Sequence, residues 1–149
     1  MIARLPVTMA LSAILASATN LPVGRGSKPP TIAPPYFLLY AMPAELSGAP
    51  LADEHEDASL VYQVTSVSGP DPSKPDSRGA ADQAEWMADK ARTAILGRDP
   101  ATGLWLRPLT IPGTKVIGRS LDTEPGGSSD PADAIMSYVQ RFRFDLTAA

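Results

Sequence analysis

The chain has no cysteine and a single histidine among its 149 residues. Without cysteine, disulfides and thiolate metal sites are excluded, and the redox compartment is left open by this criterion. With His55 alone, a histidine-based triad could be built only around that residue. A basic surplus is also missing: 13 Lys and Arg stand against 16 Asp and Glu, for a formal charge of −3. Domains whose main task is to coat nucleic acid usually carry the opposite balance. No stretch reaches the roughly 18 to 20 apolar residues needed to span a membrane as a helix. What remains is a chain with the length of one domain, able to bury roughly 70% of its unfolded surface and needing no covalent staple.

The first residues, MIARLPVTMALSAILASAT, allow two readings. Arg4, an apolar run and Ala16-Ser17-Ala18 have the look of a secretory signal with a cleavage site. Pro6, Thr8 and Ser12 interrupt that run, whereas Val7, Leu11, Ile14, Leu15 and Ala18 fall at helical spacing and Pro6 suits a first helical turn. The spacing predicts a folded helix.

Proline then divides the chain. The 16 prolines avoid residues 51–69, 76–99 and 132–149, and proline is excluded from helix interiors and central strands because it lacks an N–H donor. Residues 36–42 (YFLLYAM) form an apolar run between prolines and read as a buried strand, with 21–35 an extended connection into it. Residues 59–68 (SLVYQVTSVS) are rich in β-branched and aromatic side chains and predict a second strand. A helix is predicted over 77–96, capped by Asp76 or Ser77 and ended by Gly97. Its core stripe is Ala80, Ala84, Met87, Ala88, Ala91, Ala94 and Ile95, and Trp86 falls outside it. Residues 103–107 and 114–121 are short strand candidates forming a hairpin-like edge, 122–132 a polar loop, and 135–147 a closing strand. On that last strand Met136, Tyr138, Gln140, Phe142, Phe144 and Leu146 share one row, while Arg141, Arg143 and Asp145 end the other. The pattern is α+β: one mostly antiparallel or mixed sheet of about four to five strands, packed by the N-terminal helix and helix 77–96.

No catalytic or cofactor constellation emerges. Asp53-Glu54-His55-Glu56-Asp57 offers metal-ligating side chains, but consecutive loop residues point in diverging directions and a solvated acidic loop accounts for them. Val23-Gly24-Arg25-Gly26-Ser27-Lys28 lacks Walker spacing. Asp82, Glu85 and Asp89 lie on the polar face of a helix, and Gly126-Gly127-Ser128-Ser129-Asp130 has no apolar strand feeding a nucleophile elbow. The expectation is no cofactor, no metal and no enzyme.

Residues 61–67 (VYQVTSV), a short loop and residues 81–97 (ADQAEWMADKARTAILG) together resemble the central strand and helix of tail terminator proteins from long-tailed phages of actinobacteria. Residues 34–40 (PPYFLLY) are similar to that family's proline-led first strand, and residues 138–147 to its closing strand. The resemblance implies a virion protein at the tail–neck junction, assembled in the host cytoplasm. It implies a ring of identical subunits, a hexamer, that caps the head-proximal end of the tail tube, stops its polymerisation and docks to the head–tail connector. The partners implied are further copies of the chain, the major tail tube protein and connector proteins, with DNA passing through unbound and no membrane involved. Another neck or head-completion protein, or a secreted binding module, are the alternatives. On this reading Trp86, Arg141, Arg143 and Asp145 are expected at subunit interfaces, and the loops carrying Asp53, Glu54, His55, Glu56, Asp57 and Ser128, Ser129, Asp130 are expected to dock partners. The mixed signs of Arg141, Arg143 and Asp145 are unlike a phosphate-binding track of one sign.

Overall fold

The computed structural model describes residues 2–27, 33–43, 45–47, 57–74 and 76–149. Helix α1 (Arg4–Thr19) leads into strands β1 (Val23–Arg25), β2 (Tyr36–Ala41), β3 (Glu45–Ser47) and β4 (Asp57–Ser68); helix α2 (Ala81–Leu96) and the long strands β5 (Thr114–Asp130) and β6 (Ile135–Ala148) complete the chain. The sheet runs β1-β2-β4-β6-β5, with β3 pairing to β4, so it has six strands. It is mixed, because β1 lies parallel to β2 while the other pairs are antiparallel. The α+β class is as the sequence predicts. The two extra strands are three-residue pieces too short to carry a period of their own.

Both helices cover one face of the sheet. Val7, Leu11 and Leu15 of α1 and Met87, Ala91 and Ile95 of α2 share a core with Phe37, Leu39, Leu60, Tyr62, Val64, Phe142, Phe144 and Leu146. The alanines of α2 let it approach closely, since Ala84, Ala88, Ala91 and Ala94 are all buried. Within the core, Tyr62 and Phe144 meet edge to face at 5.9 Å, and the Tyr62 hydroxyl hydrogen-bonds Thr8 of α1 at 2.8 Å. Both hydroxyls also reach the Arg4 carbonyl, Thr8 at 3.2 Å and Tyr62 at 3.5 Å, so these buried polar groups are satisfied. Asn20 ends α1 in the left-handed region (φ 56°), its N–H donating to the Ala16 carbonyl.

Three local expectations are corrected. Helix α2 begins at Ala81, and neither Asp76 nor Ser77 caps it. The anchor is Ser68 at the end of β4, whose Oγ accepts from the Ala80 N–H at 3.0 Å and donates to Gln83 Oε1 at 2.6 Å. Residues 103–107 do not form a strand; Trp105 makes an isolated bridge to Arg98 instead. Residues 122–130 are not a loop but the second half of β5, so Ser128, Ser129 and Asp130 are strand residues opposite Ser137, Met136 and Ile135. Pairing to β6 along its whole length holds this polar, glycine-bearing segment extended without a buried face. Asp57 likewise opens β4, opposite Thr147. Asp53, Glu54, His55 and Glu56 lie outside the described residues.

Candidate functional site

The uncovered face of the sheet carries the charges of the closing strand. Directly paired residues in an antiparallel ladder project to the same side, so Ser59 sits beside Asp145 and Gln63 beside Arg141. Arg141 Nε donates to Gln63 Oε1 and Arg143 Nε to Asp145 Oδ1, each at 3.1 Å, while the Ser59 hydroxyl donates to Asp145 as well. Arg141, Arg143 and Asp145 therefore share one face, as their spacing predicts, with Arg141 bonded to Gln63 and Arg143, Asp145 and Ser59 bonded in a second set. Among the described residues no helix covers this face.

The Asp145 carboxyl is held below its ordinary value, chiefly by the Ser59 hydrogen bond; burial opposes this, and Arg143 adds to the lowering. A carboxylate with a lowered folded value contributes stability that is present above the unfolded value of 3.8 and is lost as pH falls through the folded one. Acid unfolding of the wild type is expected to steepen below pH 3.8, and Asp145→Asn to flatten that limb. Parallel acid titrations followed by circular dichroism check this, and superimposable curves would refute it.

Trp86 stands on the outer side of α2, 51% exposed, with the Lys90 ammonium 5.6 Å from its ring centroid. It lies apart from the Arg141–Asp145 network, because α2 packs on the opposite face of the sheet. Ser128, Ser129 and Asp130 sit near the tip of the β5–β6 hairpin, all exposed, where Ser128 and Ser137 share a hydroxyl–hydroxyl hydrogen bond of 2.9 Å.

One built feature has no counterpart in the sequence reading. Both Arg98 and Arg119 lie over the Trp105 ring, at 3.8 and 4.6 Å from its centroid. Arg119 is only 9% exposed and its Nη1 donates to the Ile95 carbonyl at 3.0 Å, closing the C-terminal end of α2. Burial, and then Arg98 nearby, pushes its guanidinium down to about 10. A bulge at residues 116–118 of β5 makes this possible. It turns Val116, Arg119 and Leu121 toward the helices and leaves Ile117 58% exposed, a switch that strict alternation would not predict.

Two surface grooves flank the helices. One of about 530 Å³ is lined by Arg4, Leu5, Thr8, Arg25 and Tyr40; another of about 500 Å³ lies between α1 and α2 beside Lys90, Leu106 and Arg107. Neither set of lining residues pairs a nucleophile with a base. Among the described residues, no group of three or more His, Cys, Asp or Glu side chains is placed to hold a metal ion, and no helix is long and apolar enough to cross a membrane.

No protein-family model matches the chain, and no curated protein matches it. Among solved structures, it is similar to a chain of the virion of a native gene transfer agent (GTA) particle, with a TM-score of 0.59 and 16% identity, covering 97% of this chain and 95% of that one. At this identity the likeness is one of fold, extending over nearly the full length of both chains.

Proposed function

We propose that this chain is a structural protein of a phage-like virion, acting as a tail terminator: a ring of identical subunits that caps the head-proximal end of the tail tube, stops its growth and docks to the connector. The observation that carries the reading is the near end-to-end fold likeness to a chain of a gene transfer agent virion. The arrangement of two helices on one face and an uncovered, mixed-charge sheet on the other is consistent with it. A ring needs a heterologous contact, one patch meeting a different patch on the next copy, and an open axis. A face carrying Arg141, Arg143 and Asp145, charges of both signs, offers DNA on that axis no continuous cationic track. We assign no cofactor, and the one-domain organisation expected from length fits the shared core of sheet and helices. The test is tube growth in vitro: tail tube protein polymerised with this chain is expected to give shorter tubes blocked at one end, and an unchanged length distribution would sink the proposal.

Trp86 is the proposed interface anchor on the helical side, since large exposed aromatics are enriched among interface hot spots. Trp86→Ala is expected to weaken self-association roughly tenfold or more, corresponding to at least about 1.4 kcal/mol, while leaving the subunit folded. Light scattering across a dilution series checks this, with unchanged ring mass counting against it.

A further inference from the structure

We infer that neighbouring copies meet edge to edge, the groove beside β1 of one subunit receiving the carboxylate cluster beside β5 of the next. This rests on the ring reading above and names the two surfaces that build it.

The strand order places β1 and β5 at opposite edges of the sheet, four strand spacings apart, or roughly 19 Å. At the β1 edge, the groove of about 530 Å³ is flanked by Arg4 and Arg25. Both guanidinium groups use neutral acceptors: Arg4 Nη1 donates to the Met42 carbonyl at 2.6 Å, and Arg25 Nη1 contacts Met9 Sδ at 2.9 Å. Leu5 and Met9, 61% and 53% exposed, add apolar surface beside them. The edge is thus cationic and greasy, a combination that favours an acidic partner with an apolar body.

The β5 edge has the complementary character. Glu85 and Asp89 lie one turn apart on the exposed side of α2, which packs against β5 and β6, and Glu124 lies on β5. The Tyr138 phenol is pushed up first by desolvation and then by Glu124, with Glu85 and Asp89 adding to the effect. These carboxylates outnumber Arg92, the one cation on the same flank of the helix. Gln140, only 1% exposed, brings its amide to the cluster: Nε2 donates to Glu124 Oε1 at 3.1 Å, and Oε1 has no donor. A buried acceptor without a partner is costly.

The two patches also share a level. Leu39 in the groove pairs with Val64, Val64 pairs with Gln140, and Gln140 bonds Glu124, so one transverse row crosses the sheet from cationic groove to acidic cluster. Contacts at the same height add copies without axial offset, the condition under which a heterologous interface closes into a ring and does not climb as a filament. It also leaves the open sheet face free to line the axis.

The test uses two full-length variants, Arg25→Glu and the double variant Glu85→Lys/Asp89→Lys, each checked for native circular dichroism and then mixed. Each alone is expected to run at single-subunit mass at a concentration where the wild type is a ring, because like charges meet at every contact. Mixed in equal amounts, both kinds of junction regain opposite charges, and ring mass is expected to return as an alternating assembly with an even number of subunits. Rings from either variant alone, or folded variants that stay single on mixing, would overturn the edge pairing while leaving a ring-forming protein. A wild type of single-subunit mass would overturn the ring reading itself and this inference with it.

Discussion

Gly79→Ala is expected to lower stability by about 3 kcal/mol, a large effect for the addition of one methyl group. Gly79 lies where the end of β4, the turn into β6 and the approach to α2 converge, and its N–H donates to the Ala134 carbonyl at 2.8 Å. A Cβ there would stand 2.4 Å from the Ser68 carbonyl oxygen, 2.9 Å from that of Ala134 and 2.9 Å from the Met136 nitrogen. All three are backbone atoms, so no side chain can rotate away. Relief requires the hairpin to separate from β4, weakening both the Gly79–Ala134 bond and the Ser68 contact that anchors α2. Urea denaturation checks this: a midpoint unchanged from wild type would show that the junction is looser than these distances imply.

Phe144→Ala is expected to be at least as damaging, at about 3–5 kcal/mol. Phe144 is fully buried and packs edge to face on Tyr62 between the sheet and the helices. Truncation opens a cavity among side chains fixed by β4 and β6, which cannot collapse without moving the sheet. Because domains of this size are stable by only about 5–15 kcal/mol, the variant should populate unfolded chains at temperatures where the wild type has none. Tyr62→Phe provides the contrast: it keeps the ring contact and removes only the hydroxyl bonded to Thr8, so a smaller loss of about 1–2 kcal/mol is expected. Equal losses in the two variants would place the stabilisation in the hydrogen bond and not in the packing.

These two positions also mark what the sequence could reveal. The Phe144 row was legible, because alternation along the closing strand separates Phe142, Phe144 and Leu146 from Arg141, Arg143 and Asp145. The alanine stripe of α2 was legible for the same reason at a period of 3.6. Gly79 is not, since its constraint comes from two other backbone segments, at Ser68 and at Ala134 and Met136. The second half of β5 is hidden in the sequence because Pro125, Gly126 and Gly127 punctuate it as a turn would; pairing to β6 holds it extended, and irregular register between Leu121 and Gly126 removes the alternation. The start of α2 is not legible locally because its anchor, Ser68, belongs to another element. For the candidate site, the sequence identified the charged row and the off-stripe Trp86. It did not identify the Arg98–Trp105–Arg119 stack or the opposite charge of the two sheet edges, which arise from strand order and a bulge.

In the proposed terminator ring, complementary edges would join copies and the mixed-charge face would surround the axis. The most direct measurement is electron microscopy of the purified protein mixed with preformed tail tubes, with its native mass determined in parallel. The account predicts a multi-subunit ring seated on one end of each tube. A protein that stays at single-subunit mass, or rings that bind portal complexes and ignore tube ends, would contradict it.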